Sequence, residues 1–279
     1  MIILKVFNNN SVVALSDDRQ DVIVTGSGVG FHKKPGDLVD AHKIERQYVF
    51  QDEHKKRFEQ LLSDISNVCF EITDWIVKRA TKELKKDFSS EIFIAISDHI
   101  SYAMKRKSEG IYLPNIILNE TKVLYEDEYK IGLLALEYIK KRTGISLEID
   151  EAGYIALHLA NFAVANQDNN AVKIVSFTKE VIDVIQNTMN KQLGENTLAY
   201  ARISIHLKYL SERIFRNEKV QLEDTTYDIR SMLKTDPRMS MCINRIVKLI
   251  KQRYDYELSP DEQTYLCIHI KRNVTTNQE

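Results

Sequence analysis

Four of the seven histidines fall into two matched pairs. His99 and His158 lie 59 residues apart, His206 and His269 lie 63 apart, and each sits in an apolar stretch of helical period. Imidazole titrates near ~6.5, so at neutral pH it is mostly uncharged and nucleophilic. Three chemistries use two such rings. A metal needs a third or fourth ligand in matching positions. The acids Asp150-Glu151 and Asp261-Glu262 are available, but each pair opens a helical pattern, where acids already suit the N-terminal dipole. A general acid–base dyad needs a substrate pocket, and the chain has no P-loop, dinucleotide fingerprint or nucleophile elbow. Histidine phosphorylation needs only the ring and a donor. It adds up to about two negative charges and changes packing or pairing at an interface. A histidine beside an apolar face is also commonly a packed boundary residue, and a repeat preserves core residues too. Residue type tilts the balance. Most equivalent, non-identical positions swap one aliphatic residue for another, whereas His recurs in every one of these slots. No catalytic residue, metal ligand or cofactor is expected.

A duplicated unit positions these rings. Ile139-Lys140-Lys141-Arg142 matches Ile250-Lys251-Gln252-Arg253, Leu147 matches Leu258, and Asp150-Glu151 matches Asp261-Glu262. Tyr154 to Leu159 then matches Tyr265 to Ile270, all at an offset of 111. Upstream, His99-Ile100-Ser101-Tyr102 and Arg106 match His206-Leu207-Lys208-Tyr209 and Arg213 at an offset of 107. The difference is a change in loop length inside a unit of roughly 110 residues. Apolar residues recur at steps of three and four from Phe58 through Ile76. They do so again over about 90–106, 121–143, 150–165, 172–190, 197–216, 238–254 and 260–272, predicting amphipathic helices. Gln167-Asp168-Asn169-Asn170 is a polar break between the two blocks.

The first 50 residues differ in kind. Short β-branched runs at Ile2–Phe7, Ser11–Leu15, Asp21–Thr25 and Ile44–Phe50 alternate with turn material, and four of the nine glycines fall at 26, 28, 30 and 36. This predicts a small antiparallel sheet. A core of that size is marginal alone, so dimerisation is a plausible source of further buried area. With nine glycines and four prolines in 279 residues, the rest of the chain is too poor in turn-formers to be mainly β. The net charge of -1 argues against a general basic footprint for nucleic acid. Residues 1–55 are also at -1, so any nucleic-acid recognition there rests on a few placed groups. Cys69, Cys242 and Cys267 are odd in number, far apart and set among apolar residues, which reads as buried thiols and not as disulfides or zinc ligands. The N-terminal MIILKVFNNN lacks the pattern of a signal peptide, and no stretch is apolar enough to cross a bilayer, so the expected location is cytoplasmic.

Several of these segments together resemble the BglG/SacY/LicT transcriptional antiterminators, over essentially the whole chain. They are Lys5-Val6-Phe7-Asn8-Asn9-Asn10, Gly26-Ser27-Gly28-Val29-Gly30-Phe31 with Lys33-Lys34, and Ser97-Asp98-His99-Ile100. Asp150 through His158, Arg202 to Phe215 around His206, and Asp261 to Ile270 complete the set. The resemblance implies a multidomain chain: a small antiparallel β-sheet RNA-binding module (1–55), followed by two homologous all-α helical-bundle domains (56–168 and 171–279) that act as phosphotransferase-system (PTS) regulation domains. The module would dimerise and clamp an RNA hairpin in the leader of a sugar-utilisation transcript, at the expense of an overlapping terminator. Its RNA contacts carry over to Lys5, Asn10, Gly26, Ser27, Gly28 and Phe31. Many relatives have Arg or Lys where Ser27 stands, so a charge is lost there. His99, His158, His206 and His269 would be phosphorylation sites. A sugar-specific PTS permease would act on the first unit and the phosphocarrier protein HPr on the second. The chain would then be a homodimeric regulator, not an enzyme and not inserted in a membrane. A histidine phosphocarrier of the same system is the alternative, and a purely structural helical repeat is a third.

Overall fold

The structure is a computed structural model and describes residues 1–49, 66–164, 170–195, 197–218 and 236–275. Four strands, β1 (Ile2–Asn8), β2 (Ser11–Leu15), β3 (Asp21–Thr25) and β4 (Arg46–Val49), form one antiparallel sheet in sequence order. The predicted runs and the strands agree closely. Short turns join β1 to β2 and β2 to β3, and Arg19 in the second turn adopts φ 58.

The sheet is buried on both faces. On one, Ile3, Val12, Ala14, Val22 and Val24 pack with Val29, Val39 and Ile44 from the connection between β3 and β4. On the other, Phe7, Val13 and Ile23 join the core of the helices that follow. Phe7 stacks on Phe70 at 3.9 Å, and Phe70 on Phe93 at 5.6 Å. Within the single chain, helices thus supply the extra burial that a sheet this small needs.

Nine helices are described: α1 (Asn67–Leu84), α2 (Glu91–Ser108), α3 (Leu118–Leu124), α4 (Glu126–Thr143), α5 (Asp150–Phe162), α6 (Ala171–Met189), α7 (Leu198–Phe215), α8 (Pro237–Tyr254) and α9 (Pro260–Thr275). Their starts follow local chemistry. Ser66, Thr197 and Asp236 each accept a backbone N–H from the first turn of α1, α7 and α8, and Pro237 occupies the first position of α8. The α1 and α6 C-caps, Lys85 and Asn190, are left-handed. The part of the predicted first helix at 58–65 lies outside the described residues.

The chain packs into two compact units: Met1–Asn115 with Asp127–Asn169, and Ile116–Glu126 with Asn170–Glu279. The predicted helix over 121–143 is therefore two helices. The path breaks at Tyr125 (φ -135, ψ 49), and α3 belongs to the second unit while nearly all of α4 belongs to the first. In the second unit Tyr200 of α7 donates to Glu120 of α3 at 2.6 Å, a buried bond that raises the Tyr200 pKa through burial and then the carboxylate. The helical core of the first unit runs through Ile72, Ile76, Ile96, Ile100, Ile139, Ile155 and Leu159. Gly132 lets α4 meet α5 closely: a Cβ there would lie 2.2 Å from the Ala152 carbonyl oxygen. The second unit has its own core, with Phe177, Ile182, Leu207, Ile243, Ile246, Leu266 and Ile270. The three cysteines are buried free thiols, and burial pushes Cys242 up to about 12.

Candidate functional site

In the first unit, Ile96, Ile100 and Ala103 turn one stripe of α2 inward, and Ile155 and Leu159 do the same for α5. His99 and His158 sit at the margins of these stripes, half-buried, with ring centroids 5.2 Å apart. Tyr154, one turn before His158, lies 5.6 Å from the His99 ring. Glu151, in the first turn of α5, reaches both His99 and Arg106. Its Oε2 lies 2.9 Å from His99 Nε2, off the line of a good hydrogen bond, while Arg106 Nη2 donates to its Oε1 at 2.7 Å. Burial opposes ionisation of Glu151, but His99 and Arg106 outweigh it and hold the carboxyl below its ordinary range. Burial, and then the charge of His99, depress His158 to about 3, so its ring is neutral at physiological pH. Asp150 accepts the Asn115 backbone N–H at 2.7 Å and the Tyr112 hydroxyl at 3.2 Å.

The second unit repeats the frame with different contacts. His206 on α7 and His269 on α9 have ring centroids 3.5 Å apart, and His206 Nδ1 is 2.6 Å from the Tyr265 hydroxyl. Glu262, the counterpart of Glu151, faces away from the histidines. It accepts from the Tyr256 hydroxyl at 3.0 Å and from Ser259 N–H at 2.9 Å. Two groups hold it there: Tyr256 stands where the first unit has Ile145, which offers no donor, and Ser259, whose N–H it accepts, stands where the first unit has Glu148. Arg213, the counterpart of Arg106, lies over the Tyr265 ring at 5.9 Å instead of on a carboxylate. Burial lowers the His206 pKa. Burial, then the neighbouring His206 and Arg272, lower His269 to about 4. An open cleft here is lined by Arg202, His206, His269, Arg272 and Asn273. Among the described residues, no group of three or more His, Cys, Asp or Glu is arranged to hold a metal.

In the sheet module, the turn after β1 meets the glycine loop after β3. Gly26 N–H donates to the Asn10 carbonyl and Gly28 N–H to Asn10 Oδ1, both at 2.9 Å. Ser27 N–H donates to Glu45 Oε1 at 3.0 Å, and Lys43 Nζ to the Gly28 carbonyl at 3.3 Å. A Cβ on Gly26 would sit 1.7 Å from the Lys43 carbonyl oxygen, so that glycine is required by the protein's own backbone. Gly28 has φ +71, and a Cβ there would make only ordinary contacts, with Lys43 Nζ at 3.8 Å and the Phe31 Cβ at 4.0 Å. Phe31 is 51% exposed, which removes it from the core, and its ring lies 4.0 Å from that of His32. Lys5 lies on β1 over the Phe7 ring at 5.1 Å.

The structure thus brings each histidine pair together, and it joins Asn10, Gly26 and Gly28 in one loop cluster beside Phe31. Sequence reasoning assigned Asp150-Glu151 to the helix dipole and missed the Glu151 contacts with His99 and Arg106. The signal was present, since Arg106 and Glu151 both recur in the repeat as Arg213 and Glu262.

Comparison with known proteins gives a concordant result. Residues 1–57 match the CAT RNA binding domain, and residues 74–162 and 179–273 each match the PRD domain. The chain is 34% identical to the transcription antiterminator LicT of Bacillus subtilis, covering 98% of this chain and 99% of that protein. It is 31% identical to the beta-glucoside operon antiterminator of Dickeya chrysanthemi, covering 100% of this chain and 99% of that one. Among solved structures, the crystal structure of GlcT CAT-PRDI superposes with a TM-score of 0.51 at 29% identity. It accounts for 58% of this chain and 98% of its own.

Proposed function

The chain belongs to the family of transcription antiterminators that join a CAT RNA-binding domain to two PRD domains, and from that premise we propose how it acts. Residues 1–55 bind a hairpin in the leader of a sugar-utilisation operon and keep the overlapping terminator from forming. Residues 56–168 and 171–279 are the two regulation domains that control this binding. Asn10 holds the glycine loop in shape while exposed Phe31 stacks on an unpaired base. Lys5 and Ser27 provide phosphate and sugar contacts, and Gly26 and Gly28 shape the loop whose backbone the RNA meets. His99 and His158 accept phosphoryl groups from a sugar-specific permease, which holds the protein inactive. His206 and His269 accept them from HPr, which favours an active homodimer. The protein works by binding in the cytoplasm; among its described residues no helix is long and apolar enough to cross a membrane.

The observation that carries this reading is the pairing of His99 with His158 and of His206 with His269 across equivalent helices, in a chain that also carries an RNA-binding module with an exposed aromatic residue. The test is transcription in vitro through a beta-glucoside leader and terminator, with the purified chain added. Read-through is expected to rise, to fall on Phe31→Ala, and to lose its dependence on HPr in His206→Ala and His269→Ala. No rise with any such leader would refute antitermination by this route. Onward transfer of phosphate from the chain to a permease would favour the phosphocarrier reading.

A further inference from the structure

The two histidine pairs have the same frame but opposite surroundings, and the difference lies in arginine. Arg202 precedes His206 by four residues on α7, and Arg272 follows His269 by three on α9. These spacings put each arginine on the same helix face as its histidine. All four residues line one open cleft, together with Asn273. Asn273 Nδ2 donates to the His269 carbonyl, so it braces the helix and not the cleft mouth. The charge of Arg272 is felt at the His269 ring. By the offsets of the repeat, the first unit has Ala95 where Arg202 stands, Asn161 where Arg272 stands and Phe162 where Asn273 stands. It has instead a carboxylate, Glu151, at ion-pair distance from His99, with Arg106 already engaged on that carboxylate.

We infer that Arg202 and Arg272 are the phosphoryl-binding pair of the second unit, and that the equivalent positions of the first unit, Ala95 and Asn161, hold no such pair. The inference deepens the proposed function and rests on its histidine phosphorylation. A phosphohistidine carries about two negative charges and three acceptor oxygens. Guanidinium groups meet such oxygens with paired, parallel N–H donors, and two of them balance the dianion. In the Nδ1–H tautomer His206 donates to Tyr265, and the Nε2 lone pair is available for attack. A bond forms between Nε2 and phosphorus while the donor's N–P bond breaks. The electron pair of the broken bond leaves with the donor nitrogen, and the ring proton stays at Nδ1. Neutral rings are nucleophilic here, and the arginines screen the charge of the incoming group. At His99 a phosphoryl group instead meets the Glu151 carboxylate and must displace it.

The full chain is treated with phosphoramidate, a small phosphoryl donor that needs no docking surface. The initial rate of incorporation is then followed at each histidine by mass spectrometry at neutral to alkaline pH. The arms are the wild type, Arg202→Gln/Arg272→Gln, Arg202→Lys/Arg272→Lys, and a control removing two exposed charges elsewhere on the second unit, Lys173→Gln/Lys248→Gln. The glutamine pair is expected to slow incorporation at His206 and His269 about tenfold, with the lysine pair restoring part of the rate. His99 and His158 serve as the internal reference and are expected to stay within about twofold in every arm, as are all four sites in the control. Both arginines are exposed, so the variants keep the fold. Unchanged rates at His206 and His269 in the glutamine pair overturn the inference and leave the regulatory reading standing. Equal slowing in the charge control overturns it as well. Absence of phosphate from all four histidines of the wild type overturns the regulatory reading, and the inference with it.

Discussion

The two PRD domains present one scaffold tuned two ways. In both, a helix carrying His (α2 or α7) packs beside a helix carrying Tyr and His (α5 or α9), and a glutamate opens the second helix. In the first unit the glutamate reaches back and touches the histidine; in the second it is held by the Tyr256 hydroxyl and the Ser259 N–H, and arginines border the pair instead. The first site is closed by the contacts of Glu151 with His99 and Arg106, and the second is an open cleft bordered by arginines. The two copies keep the rings and differ at a few neighbours, which gives the paired histidines opposite surroundings.

The largest effect is expected at the glutamates. Arg106 is 8% exposed and relies on Glu151 for its compensating charge. Replacing Glu151 by Gln leaves a buried guanidinium facing a neutral amide, and such losses commonly reach about 3 kcal/mol. Glu262 bonds a neutral hydroxyl and a backbone N–H, so Glu262→Gln is expected to cost about 1 kcal/mol. Urea titration followed by hydrogen exchange on α2 and α7 separates the two units. Equal losses in both variants would show that the contrast between the pairs carries no energetic weight.

Acid is expected to act next. His158 titrates at about 3 when folded, against about 6.5 for a free imidazole. Between these values the unfolded chain binds a proton that the folded chain refuses. Stability is therefore full above the unfolded pKa and falls as pH drops through the window, by up to about 1.4 kcal/mol per pH unit. His269 has the same sign, its fall levelling off near its folded value of about 4 and shallower because its cleft is open. Thermal unfolding of His158→Gln between pH 7 and pH 4 is expected to be flatter than that of the wild type. A slope as steep as the wild type's would place the acid sensitivity elsewhere.

Much of this architecture was legible in the sequence, and the exceptions have physical reasons. The strands follow from β-branched runs between turn residues. The helices follow from their period, and the pairing of histidines from the repeat. Alignment of the repeat drew attention to what recurs, whereas the difference between the sites lies where the copies disagree: Ile145 against Tyr256, Ala95 against Arg202, Asn161 against Arg272. The break at Tyr125 was hidden because apolar residues continue in phase across it, and the placement of α3 in the second unit comes from long-range contacts, among them the Tyr200 bond to Glu120 and the packing of Val123 on that unit's core. Gly26 is among the glycines carried over as RNA contacts, and Gly30 stands four residues on in the same loop. The room they make is for the module's own carbonyls, at Lys43 and Asn8.

The smallest effect tests the cause of the contrast most directly. If Tyr256 alone draws Glu262 from the histidines, Tyr256→Phe should release it. The loss of one hydroxyl bond to a carboxylate costs about 1 kcal/mol, visible as a small drop in the urea midpoint. The released carboxylate has Arg213 as its natural partner, by analogy with Glu151 and Arg106 in the first unit. A charge moved toward His206 favours the protonated ring, so the His206 pKa, now held down by burial, should rise when followed by NMR. The phosphoryl group would then meet a carboxylate in the second unit too, and loading at His206 should slow toward the behaviour of His99. An unmoved His206 titration in a folded Tyr256→Phe protein would mean that Ser259 N–H suffices to hold Glu262 away. The divergence of the two sites would then have to be traced to the arginines alone.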